Sequence, residues 1–255
     1  MYCKICGKES NLFDDTIVLG KHRVSYYRCP DCGFVQTEEP YWLNEAYSDA
    51  IADSDVGLIS RNIHLSSVVN TILKILNPKS QLLDYGGGYG IFVRMMRDKG
   101  WDFEWYDEYC QNLFAKGHEM KQQHYDVVTA FEVLEHLLNP LEMFKRLFAL
   151  SDTLICTTNL LPQPAPRIKD WWYYATETGQ HIAFYTGESL QRVANKFGKN
   201  LYTNHGIIIF SGKEIPSKKI NFAFNHPKIA RRLLDLQDRK SLLANDYHKL
   251  TGKQL

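Results

Sequence analysis

The stretch Asp84-Tyr85-Gly86-Gly87-Gly88-Tyr89-Gly90 decides the fold class that this sequence predicts. A short apolar segment at residues 81–85 is typical of a β-strand, and residues 91–99 have helical spacing. Glycines without side chains allow a ligand to approach the backbone closely, and the first amides of a helix point towards that ligand. The sequence therefore predicts a strand, a ligand-binding turn and a helix in succession.

Strand and helix patterns alternate on both sides of this turn. The patterns predict further strands at residues 103–106, 126–131 and 153–157, and helices at residues 58–77, 140–150 and 187–197. Two apolar segments around Gly206, residues 201–205 and 207–210, are typical of a hairpin. The alternation predicts an α/β, Rossmann-like fold whose sheet is mainly parallel with one antiparallel edge strand.

The glycine spacing distinguishes between two kinds of cofactor. A dinucleotide fingerprint, G-x-G-x-x-G, that began at Gly86 would require glycine at position 91, where this chain has Ile91. The spacing G-x-G-x-G with an aspartate two residues ahead resembles the first motif of class I S-adenosylmethionine-dependent methyltransferases. The resemblance implies that S-adenosylmethionine contacts Asp84, Tyr85, Gly86, Gly87 and Gly88.

An acidic residue follows the second predicted strand. Asp107 comes 23 positions after Asp84, where Rossmann-type folds place a carboxylate that binds ribose hydroxyls, and Glu108 is the alternative. Only residues 110–124 separate this strand from the next strand pattern. We therefore expect the third strand of the family to be short or missing.

Residues 125–136, YDVVTAFEVLEH, are similar to the fourth-strand segment of class I methyltransferases. The resemblance, which now extends over residues 58–210, implies that Phe131 and Glu132 line the cofactor pocket. It places His136 near the mouth of that pocket, with a capping or core histidine as the alternative.

Four of the six cysteines form two Cys-x-x-Cys pairs, Cys3 with Cys6 and Cys29 with Cys32. Each pair has the spacing with which two thiolates bind one tetrahedral ion, and four thiolates leave no open position. The pattern predicts a structural zinc ribbon. Free thiols or redox pairs are the alternative.

The chain also resembles methyltransferases with an N-terminal four-cysteine zinc segment, which include sugar C-methyltransferases. Their loop Glu-His pair reads Gln180-His181 here, followed by Phe184-Tyr185-Thr186. The resemblance implies that His181 is a catalytic base, because a histidine titrates near neutral pH. His136 and Glu135 are the further catalytic candidates.

Four adjacent aromatic residues, 171–174, precede this loop and indicate either a stacking pocket for a sugar or ring, or core packing. A small-molecule or saccharide acceptor is therefore the expected partner, methylated on oxygen or carbon. The acceptor, its methylated atom and the oligomeric state stay open.

Charge and composition favour this expectation over a nucleic-acid substrate. The net charge is +1, and residues 1–40 hold five basic and six acidic side chains, which is wrong for a phosphate-binding face. An RNA methyltransferase that grips with the ribbon and the basic tail is the first alternative, and a non-catalytic binding module is the second.

We expect four segments: a zinc ribbon (1–40), a linker (41–57), a methyltransferase domain (58–212) and a basic helical tail (213–255). No apolar run reaches the roughly 18 residues that span a bilayer, and no signal peptide is indicated. The expected location is the cytoplasm.

Overall fold

A computed structural model of the chain describes residues 1–47, 55–79, 81–204, 206–226, 229–230 and 239–255. The chain divides into two compact units. Unit 1 consists of Met1–Ala52, Phe131–Ala149 and Cys156–Gly212, and unit 2 of Asp53–Ala130, Leu150–Ile155 and Lys213–Leu255. Parts of the expected linker and tail lie outside the described residues, and the four segment limits stay predictions.

The described residues form both strands and helices. The strands are β1 (Asn11–Val18), β2 (His22–Arg28), β3 (Val35–Thr37), β4 (Leu82–Tyr85), β5 (Phe103–Tyr106), β6 (Val127–Ala130), β7 (Thr153–Thr157), β8 (Ala183–Phe184), β9 (Asn200–Asn204) and β10 (Ile207–Ser211). The α-helices are α1 (Leu43–Ala46), α2 (Leu58–Leu76), α3 (Ile91–Asp98), α4 (Pro140–Leu150), α5 (Gly187–Lys196), α6 (Ser217–Asn225) and α7 (Leu243–Thr251).

Six strands form the central sheet, in the order β5-β4-β6-β7-β10-β9. β4 pairs in parallel with both β5 and β6, with Leu82 opposite Phe103 on one side and Val127 on the other. β9 lies at the edge and pairs antiparallel with β10. The predicted α/β, Rossmann-like fold class is therefore confirmed.

The third strand of the expected pattern is reduced to one residue pair. Among the described residues after β5, Glu119 forms a single parallel bridge with Trp105. The Trp105 amide donates to the His118 carbonyl at 2.7 Å, and the Met120 amide donates to the Trp105 carbonyl at 2.8 Å. The expectation of a short or missing strand is confirmed.

A second, antiparallel sheet has the order β1-β2-β3-β8 and lies within unit 1. β3 pairs with β8 through Val35 opposite Phe184, so the cysteine segment and the loop that follows residue 180 share one sheet. The sequence patterns did not indicate this sheet, because its pairings join segments that are distant in the chain.

The aromatic residues 171–174 divide between core and surface. Tyr173 and Tyr174 are each 1% exposed and pack in a core cluster with Tyr26 and Phe184, whereas Trp172 is 76% exposed. Trp171 is partly buried and packs against the same cluster, so core packing, the alternative in the sequence analysis, accounts for three of the four aromatic side chains.

Local signals agree with the helix boundaries. Thr186 caps α5 through a reciprocal pair of bonds with Ser189, and Asn77 ends α2 in the left-handed conformation with φ 50°. Among the described residues, no helix combines the length and the apolar character that crossing a bilayer requires.

The C-terminal helix α7 binds α3 within unit 2 through charged side chains. The Arg97 guanidinium donates to both carboxylate oxygens of Asp246, at 2.8 and 2.7 Å, and both residues are about 95% buried. Arg94 donates to the same carboxylate at 2.9 Å. This end of the tail is thus fixed to the domain by ion pairs.

Candidate active site

The glycine turn between β4 and α3 is held against the end of β5. The amides of Gly86 and Gly87 both donate to the Tyr106 carbonyl, at 2.8 and 3.0 Å. Gly88 has φ 53°, in the left-handed region that glycine tolerates. A Cβ at Gly87 would lie 2.7 Å from Trp105 Cδ1, which excludes a larger residue there. The bare backbone of this turn fits the close approach of a cofactor.

Asp107 lies beside the turn, at the position that the sequence predicts. Its Oδ2 accepts from the Gly88 amide at 2.8 Å, and its Oδ1 accepts from the amides of Tyr109 and Cys110 at 2.8 and 2.7 Å. Three of the four lone-pair sites of the carboxylate are used, so one stays available for a ribose hydroxyl. Glu108, the alternative acid, is exposed.

Asp84 lies beneath the turn and is 2% exposed. Its Oδ1 accepts from the Thr129 hydroxyl at 2.6 Å. Burial, reinforced by the neighbouring Asp107, raises the pKa of Asp84 to about 7, against the opposing effect of the Thr129 bond. Because this pKa is close to neutral, a cation bound next to Asp84 would favour the ionised carboxylate.

Phe131 and Glu132 follow β6 and belong to unit 1. Glu132 has φ 53°, which is rare for a residue with a side chain. Thr157 holds this conformation, because its hydroxyl accepts from the Glu132 amide at 3.0 Å and donates to Glu132 Oε1 at 2.8 Å. Backbone strain of this kind is concentrated at functional sites.

Three predicted catalytic residues, Glu135, His136 and His181, are brought together within unit 1. One ligand atom from each of the three lies within 4.8 Å of the others. The two imidazole rings meet edge to face, with centroids 4.9 Å apart. The structure thus joins His181 to two adjacent residues that lie more than forty positions earlier in the sequence.

Backbone carbonyls orient both histidines. His181 Nδ1 lies 2.7 Å from the Tyr173 carbonyl, and His136 Nδ1 lies 3.1 Å from the Gln180 carbonyl and 3.0 Å from the Tyr47 hydroxyl. A carbonyl only accepts, so Nδ1 of His181 carries the proton and Nε2 keeps the lone pair. Burial, followed by the adjacent His181, lowers the pKa of His136 to about 3, so this ring is neutral at physiological pH.

Glu135 has no exposed surface. Neither of its carboxylate oxygens has a hydrogen-bond partner among the described residues. Its backbone is well bonded, since the Glu135 carbonyl accepts from the Ile182 amide at 2.8 Å. The side chain is therefore a buried polar group that the described protein atoms leave unsatisfied.

The loop that carries His181 is fixed by Gln180 and Trp42, to which the sequence analysis assigned no role. The Gln180 side-chain amide donates to the Ala46 carbonyl at 2.7 Å, and the Trp42 indole donates to the Gly179 carbonyl at 2.8 Å. Gln180 thus has a donor where the resembling sugar methyltransferases have a glutamate, so it anchors the loop. No sequence signal marks these contacts, because most of them involve backbone carbonyls.

The four N-terminal cysteines form a compact cluster. Cys3 Sγ lies 3.7 Å from Cys32 Sγ, Cys6 Sγ lies 3.4 Å from Cys29 Sγ, and all four sulfurs lie within 4.8 Å of one another. Sulfurs about 2.3 Å from a tetrahedral zinc ion are roughly 3.8 Å apart. The donor set and its spacing therefore fit Zn²⁺.

Comparisons with known proteins agree with the fold. A family model described as a methyltransferase domain matches residues 60–204, more than half of the chain. No curated protein matches the sequence.

Several solved structures are similar to this chain at low sequence identity. The plantazolicin methyltransferase BpumL in complex with SAH has a TM-score of 0.48 and 9% identity, over 78% of this chain and 87% of that chain. An O-methyltransferase family 2 protein from Planctomyces limnophilus has a TM-score of 0.45 and 14% identity, over 67% of this chain and 65% of that chain. Magnesium protoporphyrin IX methyltransferase from Synechocystis with bound SAM has a TM-score of 0.37 and 14% identity, over 67% of this chain and 90% of that chain.

The chain belongs to the methyltransferase domain family, and it is an S-adenosylmethionine-dependent methyltransferase.

Proposed function

We propose that this enzyme methylates a hydroxyl group or an acidic carbon of a small-molecule or saccharide acceptor, with His181 as the base. The observation that carries the proposal is the 2.7 Å bond from His181 Nδ1 to the Tyr173 carbonyl, which leaves Nε2 with a lone pair. Nε2 takes the proton that the acceptor loses. His136, which is neutral, and Glu135 support the His181 ring from the adjacent turn.

We assign cofactor binding to the glycine turn and to the strand ends after β5 and β6. When bound, S-adenosylmethionine supplies an electrophilic methyl group and leaves as S-adenosylhomocysteine, with the sulfur retaining the electron pair. The left-handed backbone at Gly88 and the remaining lone pair of Asp107 support this assignment. The full set is Asp84, Tyr85, Gly86, Gly87, Gly88, Asp107, Glu108, Phe131 and Glu132.

A small acceptor agrees better with the charge of the chain than a nucleic acid does. Net charge is +1, and the cysteine segment carries slightly more acidic than basic side chains. Binding to phosphates depends on clustered lysines and arginines and weakens steeply with salt. Salt-sensitive binding of RNA at low micromolar concentration would therefore favour the RNA methyltransferase alternative.

We assign a structural role to zinc at Cys3, Cys6, Cys29 and Cys32. Four thiolates leave no position open for a substrate, so this ion would stabilise the fold. The Thr186 hydroxyl donates to the Cys32 carbonyl at 2.6 Å, which ties the cluster to the N-terminus of α5.

The cofactor assignment is tested by Gly87→Ala. The added Cβ would lie 2.7 Å from Trp105 and 2.9 Å from Asp84 Oδ2, so the turn must shift. We expect affinity for S-adenosylhomocysteine to fall at least tenfold, measured by isothermal titration calorimetry. Gly187→Ala is the matched control, since a Cβ there meets nothing within 4 Å. Equal affinity in both variants would remove the turn from the site.

The base assignment is tested by His181→Ala. The variant retains the glycine turn, so S-adenosylhomocysteine should bind normally, whereas kcat should fall by about 10²–10⁴-fold. Turnover is measured as S-adenosylhomocysteine released with an acceptor selected from a panel of phenols and nucleotide-linked sugars. His124→Ala, an exposed histidine, is the control. Full turnover in His181→Ala would end the proposal of a histidine base.

A further inference from the structure

We propose that Glu135, His136 and His181 bind a divalent transition-metal ion, at a second site distinct from the cysteine cluster. The three side chains offer one carboxylate oxygen and two ring nitrogens within 4.8 Å of one another. Two imidazoles and one carboxylate form a ligand set that transition metals use in proteins.

The buried carboxylate is the first observation that points to an ion. Glu135 has no exposed surface, and both of its oxygens lack a hydrogen-bond partner among the described residues. No ion pair with a described lysine or arginine compensates it. A buried carboxylate is costly unless a donor, a cation or a metal satisfies it. A metal ion between Glu135 and the histidines supplies that missing charge.

The orientation of the histidines is the second, independent observation. Ligating histidines usually donate their other ring N–H to a backbone carbonyl or carboxylate, which fixes the tautomer and the ring. His181 Nδ1 faces the Tyr173 carbonyl at 2.7 Å, and His136 Nδ1 faces the Gln180 carbonyl at 3.1 Å. With the proton on Nδ1, each ring has its lone pair on Nε2. In this tautomer, Nε2 of each histidine would be the metal ligand.

The ligand set also indicates which ions the site takes. Imidazole ligands favour Zn²⁺, Cu²⁺, Fe²⁺ or Ni²⁺ over Mg²⁺ and Ca²⁺, which prefer oxygen. Three protein ligands leave at least one coordination position open, in contrast to the closed four-cysteine site. The open position fits an oxygen donor, either water or a hydroxyl group of the acceptor.

The role of the ion rests on the proposed function. A metal ion lowers the pKa of an oxygen that it binds, which favours the deprotonated acceptor. Without this ion, Nε2 of His181 is the base. With the ion bound, His181 would be a ligand instead, and the proton of the acceptor hydroxyl would pass to water. The acceptor class would then be compounds that present a hydroxyl oxygen to the metal.

Metal stoichiometry of the full-length chain tests the site. The protein is reconstituted with Co²⁺, passed through gel filtration and measured by mass spectrometry of bound metal and by visible absorption. We expect two equivalents of Co²⁺ per chain. The ion in the cysteine cluster should give a thiolate-to-cobalt charge-transfer band, and the ion at the second site should not. Glu135→Gln should retain the charge-transfer band and lose the second equivalent. His136→Ala should do the same, whereas His124→Ala should bind two.

One equivalent in the wild-type chain would overturn the proposal, as would a second equivalent that persists in both Glu135→Gln and His136→Ala. Thermal melting shows whether each variant is folded. Binding of metal and transfer of methyl are measured separately. Two equivalents of metal without methyl transfer would support the metal site and contradict the proposed function. Methyl transfer with only one equivalent of metal would support the proposed function and contradict the metal site.

Discussion

Asp84 and Glu135 show how differently two buried acidic side chains can be accommodated. Asp84 accepts from the Thr129 hydroxyl and lies under a turn of backbone amides, whereas Glu135 has no partner among the described residues. The sequence motifs assign both residues to candidate sites, and these assignments stay predictions. The motifs gave no indication of this difference, because the donors around each carboxyl group come from other strands and loops.

The raised pKa of Asp84 predicts a pH-dependent stability. The value is about 7 in the folded chain against 3.8 in the unfolded chain, so the folded state holds this proton more tightly. Stability in the absence of cofactor should therefore fall as pH rises from about 4 to 7 and then level off. Asp84→Asn removes this effect.

Relative to wild type, Asp84→Asn should gain free energy of unfolding between pH 5 and 7, by up to about 1.4 kcal/mol per pH unit. Urea denaturation across this range is the measurement. Asp170→Asn, at an exposed position, is the control. Its free energy of unfolding should differ from that of the wild type by the same amount at every pH. A constant difference for Asp84→Asn as well would contradict the raised pKa.

At the scale of elements, sequence periodicity was informative where an element is defined by its own residues. β5, β7 and α4 have the predicted limits, and Thr186 begins α5 as its cap. Periodicity was uninformative about β1, β2, β3 and β8, whose short or partly exposed segments gain stability only by pairing. The pairing of β3 with β8 joins two segments with no shared pattern.

The docking of α7 predicts a large effect of one aspartate. Asp246→Ala removes two bonds of the buried Arg97 guanidinium, which keeps its ion pair with Asp102, so we expect a loss of about 1.5–3 kcal/mol of unfolding free energy. Asp98→Ala is a matched control, because Asp98 also accepts from Arg94 but is exposed, and an exposed pair of this spacing contributes about 0.3–0.5 kcal/mol. Chemical denaturation compares the two. Similar losses would show that α7 contributes little to unit 2.

At the scale of the whole molecule, the cysteine cluster and the catalytic candidates belong to the same compact unit, and the glycine turn belongs to the other. β3 and β8 connect the zinc segment to the loop after His181, and the Thr186 hydroxyl adds a bond to the Cys32 carbonyl. A structural ion can therefore affect catalysis without contacting the acceptor.

Removal of this ion should separate cofactor binding from turnover. Cys29→Ser should lose the zinc of the cysteine cluster, lower the melting temperature by on the order of 10 °C and abolish methyl transfer. S-adenosylhomocysteine should still bind, because seven of the nine proposed cofactor residues, including the glycine turn, lie in unit 2. Calorimetry, zinc content and turnover are measured together. Cys110→Ser, outside the cluster, should change none of them, and normal turnover in Cys29→Ser would disprove the coupling.

The pairing of the cysteine segment with later residues also sets the order of events during synthesis. Thr186 bonds Cys32 across 154 residues of chain, and β8 emerges from the ribosome long after β3. Loop closure over such a distance is slow, and unpaired strand edges of partly made chains promote aggregation. The N-terminal sheet is thus begun first and completed among the last, so a nascent chain released before β8 would expose the edge of β3.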